Sequence, residues 1–129
     1  MLMKLSEIAG LLSDIADPRS FLESNAADFA ERRPLLKKRG SVVPVRVTDD
    51  VDLALSGRDV AKLCGHFIAG NLDAVELAYI ADALQLSDRV SWEDKDTAEY
   101  VAEFTDPEVN GPFTIERAQA IVREVQQDT

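Results

Sequence analysis

The sequence predicts a mainly α fold, a compact bundle of about six helices. Along most of the chain, apolar residues recur at three- and four-residue spacing, the period of one helix face. After residue 56, each such stretch opens on a Ser, Asp or Thr placed to cap a helix. The size agrees: 129 residues with 46% apolar content suit a single domain, long enough to bury about two-thirds of its unfolded surface. In this reading residues 1–40 form a helical hairpin that packs on a four-helix core spanning 56–127.

Leu5, Ile8, Ala9, Leu12, Ile15 and Ala16 share one face, which predicts a first helix ending before Asp17. Asp17-Pro18 then restarts the chain, as an N-cap followed by Pro at the first helical position. The second helix, with Phe21, Leu22, Ala26, Phe29 and Ala30 apolar, stops near Pro34, and Lys37, Lys38, Arg39 and Gly40 follow as loop. Further on, Ser56 with Asp59 forms a capping-box pair, and Val60, Leu63, Cys64, Phe67 and Ile68 make an apolar face that closes at Gly70. Asp73 with Glu76 repeats the box, and Leu72 and Leu77 are spaced as a hydrophobic staple. The helix they open is apolar on most sides, which places it at the centre of the bundle. Ser91 with Asp94 opens another helix, with Ala98, Val101 and Phe104 inward and Glu93, Asp96, Glu99 and Glu103 along the outside. Thr114 opens the last, striped by Ile115, Ala118, Ile121, Val122 and Val125.

Between these blocks lies the least helical stretch. Val43, Val45 and Val47 fall at alternate positions, and so do Val51, Leu53 and Leu55, so a small β-hairpin fits near 43–55. Pro44 would confine its first strand to an edge, and Thr48-Asp49-Asp50 lacks the Asn-Gly or Asp-Gly that tight hairpin turns favour. Asp49, Asp50 and Asp52 read as a solvated turn, since three close acids with no His make a poor metal site.

Composition narrows the function classes. Ser6 and Glu7 interrupt the first residues, so there is no apolar run of signal-peptide or membrane-spanning length, and a cytoplasmic protein with no membrane association is expected. A lone Cys64 among apolar neighbours reads as a core residue in a reducing compartment. The net charge of −10 is unevenly spread: residues 1–31 sum to −4, residues 32–46 to +6 with no acid, and residues 47–129 to −12. A basic island beside so acidic a bulk is poorly suited to displacing counterions from phosphates, so no nucleic-acid partner is expected. The island (Arg32, Arg33, Lys37, Lys38, Arg39 and Arg46) leaves two readings open, an anion site or contact with the chain's own acidic face.

Reactive constellations are few. His66 and Cys64 stand two apart on one helix, about 200° around it, and so do not face each other. His66 falls with Asp59 and Lys62 on the polar side, as a surface histidine would. One His and one Cys cannot supply the usual zinc sets, and no phosphate-binding glycine loop occurs, so no cofactor is implied. The segment YIADALQLSDRVSW resembles the helix-turn-helix of bacterial regulators, but Gln85 replaces the usual Gly and Asp88, Glu93, Asp94 and Asp96 would face phosphates. Among 24 acids many pairs could act as acid and base, yet spacing singles out none.

The run DPEVNGPFTIER, 106–117, nearly spells a calcium loop. Asp106, Glu108 and Asn110 fall at ligand positions and Gly111 at the turn, but Arg117 stands where a bidentate Glu is required and Glu116 comes one place early. The same residues make a helix end, a turn and a new cap at Thr114 without any ion. A divalent-cation module using Asp106, Glu108, Asn110 and Glu116 is therefore the alternative rather than the expected function.

The segment from Phe67 through the central helix, together with TDPEVNGPFTIERAQAIV, resembles the C-terminal half of small, largely uncharacterised bacterial helical proteins whose closing loop reads approximately NPEINGPLTPERA. Asp106, Pro107, Glu108, Asn110, Gly111, Pro112 and Thr114 carry the likeness, with Val109 and Phe113 as departures. The resemblance implies a helical fold and no particular activity. The expected function is non-enzymatic binding of a basic protein partner, in its sharpest form an immunity- or antitoxin-like role. Glu93, Asp96, Glu99 and Glu103 are the expected contacts, with Trp92 as an aromatic anchor. An enzyme working through other carboxylates is the second alternative.

Overall fold

The computed structural model describes residues 3–15, 17–27, 29–30, 47–105 and 113–127. Over them the chain is mainly helical, with six helices and two short pairs of parallel strands. Strand β1 (Met3–Lys4) runs straight into α1 (Leu5–Leu12), which buries Leu5, Ile8, Leu11 and Leu12. The helix ends sooner than its apolar spacing predicts. Asp14 takes a left-handed conformation (φ 63°), and the amide of Ile15 donates to the Gly10 carbonyl at 3.0 Å, a Schellman closure built on Asp instead of Gly. Ile15, expected on the buried face, is therefore turned out and is 86% exposed.

Helix α2 (Pro18–Ser24) starts as predicted, with Asp17 accepting the Ser20 amide at 2.9 Å and Pro18 at the first position. Phe21 is buried, whereas Ala26 and Ala30, expected on the apolar face, are exposed. Buried Asn25 joins α2 to α1 by donating to the Glu7 carboxylate at 3.2 Å and to the Phe21 carbonyl at 2.9 Å, so neither of its amide protons is stranded.

The hairpin expectation is corrected over the described residues. Strand β2 (Val47–Thr48) pairs in parallel with β1, and β3 (Leu53–Leu55) pairs in parallel with β4 (Val90–Trp92), Leu53 opposite Val90. Val43, Pro44 and Val45 lie outside the described residues, as does the expected loop around Lys37–Gly40. The acids between β2 and β3 provide the physical reason. Asp50 accepts from the Ser6 amide at 3.0 Å and the Ser6 hydroxyl at 2.5 Å, Asp52 from Arg89 Nε at 2.8 Å, and Asp49 from the Ser87 hydroxyl. Arg89 also donates to the Asp49 carbonyl at 3.1 Å. What reads as a solvated turn is thus a clasp that holds residues 49–52 to α1 on one side and to residues 87–89 on the other.

Helix α3 (Gly57–Ile68) opens on the Ser56–Asp59 capping box and ends where Gly70 (φ 83°) reverses the chain. Helix α4 (Ala74–Leu86) opens on Asp73 and Glu76, whose carboxylates each accept the other's amide at 2.8 Å. Its buried residues Leu77, Ala78, Tyr79, Ile80, Ala81, Ala83 and Leu84 occupy nearly its whole circumference, the central position that the sequence implies. Helix α5 (Lys95–Glu103) is capped by Asp94. Ser91, read as part of that start, lies in β4, because pairing with β3 keeps the chain extended to Trp92. The same strand occupies the place of a recognition helix in the helix-turn-helix likeness. Helix α6 (Ile115–Gln127) starts from Thr114, whose hydroxyl accepts the Arg117 amide at 3.1 Å. Its most extensive packing is against α3, and there the helices come close at Gly57, where a Cβ would sit a tight 3.3 Å from Val125 Cγ1.

If α4 organises the core, Leu77→Ala should cost about 2–5 kcal/mol of stability, since the side chain is buried and leaves a cavity. Loss of the cap in Asp73→Ala should cost about 0.5–2 kcal/mol. Urea melts of the two variants check both values, and equal, negligible losses would remove α4 from that role.

Candidate functional site

Parallel pairing places the carboxyl ends of β3 and β4 side by side, Leu55 opposite Trp92, and each strand leads into a helix. The ladder extends one step further through the Glu93 amide, which donates to the Leu55 carbonyl at 2.8 Å. A cleft of about 360 Å³ opens there between the starts of α3 and α5. Ser56, Gly57 and Arg58 line it from one side and Glu93, Asp94, Asp96, Thr97 and Tyr100 from the other, with Val125 of α6 also contributing.

The carboxylates around this cleft are not equivalent. Asp94 is committed to structure, because it accepts the amide and hydroxyl of buried Thr97 at 2.8 Å each, and these bonds hold its carboxyl below the usual range. Behind Ser56 of the opposite wall, Asp59, which does not line the cleft, is likewise taken up by the Ser56 amide and hydroxyl at 2.9 and 3.2 Å. Glu93 and Asp96 are exposed and form no ion pair with a described residue. Two free negative charges thus stand at the rim while the helix starts beneath them already have their anions.

The structure divides the expected contact stripe. Glu93 and Asp96 belong to the cleft, and Glu99 lies further along α5 in a loose 3.8 Å pair with Lys95. Glu103 is not available as surface charge. Both its oxygens receive Arg117, from Nε at 2.7 Å and Nη2 at 2.8 Å, in a fork between α5 and α6, and Arg117 also reaches Glu124 at 3.5 Å. Trp92 is half-buried, packed against the core, and does not line the cleft. Sequence reasoning missed Arg58 and Tyr100. Only the pairing of β3 with β4, distant in sequence, brings Arg58 opposite the acids.

The rival constellations can be placed as well. Asp106, Glu108 and Asn110 lie outside the described residues. Glu116 is exposed on the first turn of α6, and Arg117, which stands in the calcium loop's last ligand position, is engaged by Glu103. Among the described residues no group of three or more His, Cys, Asp or Glu is arranged to hold a metal ion. Cys64 is fully buried, and burial, reinforced by the Glu103 charge, pushes its thiol up to about 12, which keeps it protonated and unreactive. His66 is not the surface residue expected. It is half-buried, its Nδ1 lies 3.2 Å from Asn71 Nδ2, and its Nε2 is buried with no hydrogen-bond partner among the described residues. Among the described residues no helix is long and apolar enough to cross a membrane. Compared with protein-family models, with curated proteins and with solved structures, the chain matches none.

The different standing of the acids on α5 is measurable. Glu103→Ala removes both acceptors of a half-buried guanidinium and should cost about 1.5–3 kcal/mol, the range for hydrogen bonds to charged groups. Glu99→Ala breaks only an exposed pair one turn apart and should cost about 0.3–0.5 kcal/mol. Chemical denaturation of the two variants compares them, and equal losses would mean that the fork does not join α5 to α6. Calorimetry at low salt should show calcium binding no tighter than about millimolar, the range of the weakest natural loops.

Proposed function

We propose that this chain is a non-enzymatic binding protein that engages a basic protein partner through the acidic rim of the cleft between α3 and α5. The observation that carries the reading is the pair Glu93 and Asp96, exposed, beside a concave surface and without an ion-pair partner among the described residues. Each would be available to a lysine or arginine side chain without first breaking an internal bond, unlike Asp94 or Glu103. Tyr100 gives the cleft an aromatic wall against which such a side chain can lie, and the outward Glu99 extends the negative surface along α5. The net charge of −10 adds a long-range attraction that speeds encounter with a cationic protein. In its most specific form the partner is a basic toxin and this chain its immunity- or antitoxin-like shield in the cytoplasm. Trp92 then contributes by seating the strand that presents Glu93.

The test uses the double variant Glu93→Gln with Asp96→Asn, which keeps side-chain size and leaves both helix caps intact. With a basic partner recovered from the native cell, its association rate at low ionic strength should fall about tenfold below wild type, and the two rates should converge as salt screens the steering. Stopped-flow kinetics at two salt concentrations provide the measurement. Equal rates for wild type and variant at low salt would detach the acidic rim from binding.

A further inference from the structure

We propose that His66 is a pH-sensitive joint between the end of α3 and the start of α4, closed while its imidazole is neutral and loosened when the ring takes up a second proton. The residue serves the joint with both backbone and ring. Its carbonyl accepts the amides of Asn71 at 2.8 Å and Leu72 at 3.3 Å, closing the turn through Gly70, and its Nδ1 lies 3.2 Å from the Asn71 side-chain amide. Leu72 is 1% exposed and immediately precedes Asp73, the cap of α4, so this turn sets where the central helix enters the core.

The surroundings favour the neutral ring. As the Asn71 amide is oriented, its Nδ2 donates to Nδ1, so the ring proton resides on Nε2, where the buried atom meets no partner among the described residues. A second proton would set an N–H on Nδ1 against the N–H of Asn71, which forces that amide to turn over, and would leave a cationic N–H buried at Nε2 without an acceptor among the described residues. The charged groups that act on the ring are Lys62, one turn back on α3, and Asp14, at the end of α1. Lys62 opposes protonation and Asp14 favours it, but these two are bound to each other, and burial is the larger influence. The result is a ring held below the ordinary histidine value. Because the folded value lies below the unfolded one, the stability attached to the neutral ring is fully present above about pH 6.5. It is lost as pH falls from there towards the folded value, and no more is lost below that.

His66 is the only histidine, so its ring Cε1 proton gives a single NMR resonance that can be followed on the full chain without substitution. Titrated from pH 8 to 5, it should inflect below the ordinary value, and the amide signals of Asn71 and Leu72 should shift along the same curve. Exchange protection at those two amides, corrected for intrinsic rates, should fall on the order of threefold to tenfold over the range. In His66→Gln, which cannot titrate, that fall should be absent. A ring inflection at or above the ordinary value would overturn the proposal. So would Asn71 and Leu72 amides indifferent to the ring, or an undiminished pH-dependent fall in His66→Gln. If that variant does not fold, the wild-type titration decides by the first two outcomes.

Discussion

Helix α4 is apolar on nearly every side, so it gains stability only where other elements enclose it, and the fold is arranged around that requirement. Helices α1, α3 and α5 each pack on it, and its Leu77, Ile80 and Leu84 join one buried cluster with Ile8 and Leu11 of α1, Leu63 of α3 and Val101 of α5. Each large side chain so buried is worth about 1.5–3 kcal/mol relative to exposure. The local signals agree with this tertiary role: the Asp73–Glu76 box starts the helix in register, and Leu72 is buried just ahead of it. Aromatic contacts extend the core in two directions, Tyr79 meeting Phe29 edge-on at 5.4 Å, and Phe104 meeting Phe113 at 4.8 Å.

Enclosing α4 leaves the chain to pass between helices in short extended pieces, and two- or three-residue strands are too brief to be stable alone. Side-chain bonds supply the difference. Asp50 on Ser6 anchors the crossing beside β1–β2, and Asp52 on Arg89 with Asp49 on Ser87 anchors it beside β3–β4. Asp50 and Asp52 are held as carboxylates by their partners, the hydroxyl and amide of Ser6 for Asp50 and the guanidinium of Arg89 for Asp52. These bonds are exposed or part-buried and individually modest, and together they clasp the paired strands. The β3–β4 pairing brings Arg58 and Glu93 to the same cleft.

Much of the negative charge is therefore internal business. Asp17, Asp59, Asp73 and Asp94 cap helices, Asp49, Asp50 and Asp52 clasp strands, and Glu103 binds Arg117. This leaves Glu93, Asp96 and Glu99 as the part of the stripe directed to solvent, one of them in a loose pair and two at a concave surface. A binding role placed on these residues asks nothing of the acids that hold the fold together, so recognition and stability can vary independently.

The sequence by itself determined what depends on neighbours within about four residues. Helical periods, the caps at Asp17, Ser56, Asp73 and Thr114, the reversal at Gly70 and the all-round apolar character of α4 are interactions of one turn with the next, and they are legible as spacing. Cys64 was legible as core for the same reason. Strand partnership is not local: Val47 and Leu53 alternate equally well for a hairpin or for separate parallel pairs, and only the positions of α1 and β4 decided between them. The early end of α1 escaped the reading because Asp14, not glycine, takes the left-handed turn. His66 looked like surface because helical phase reports the side of a helix, whereas its burial comes from whatever packs across that side. Free and committed carboxylates are identical letters in a chain, and they part company only when folding brings Ser6, Ser87, Arg89 or Arg117 from 14 to 44 residues away to bind some of them and leaves Glu93 and Asp96 to the solvent.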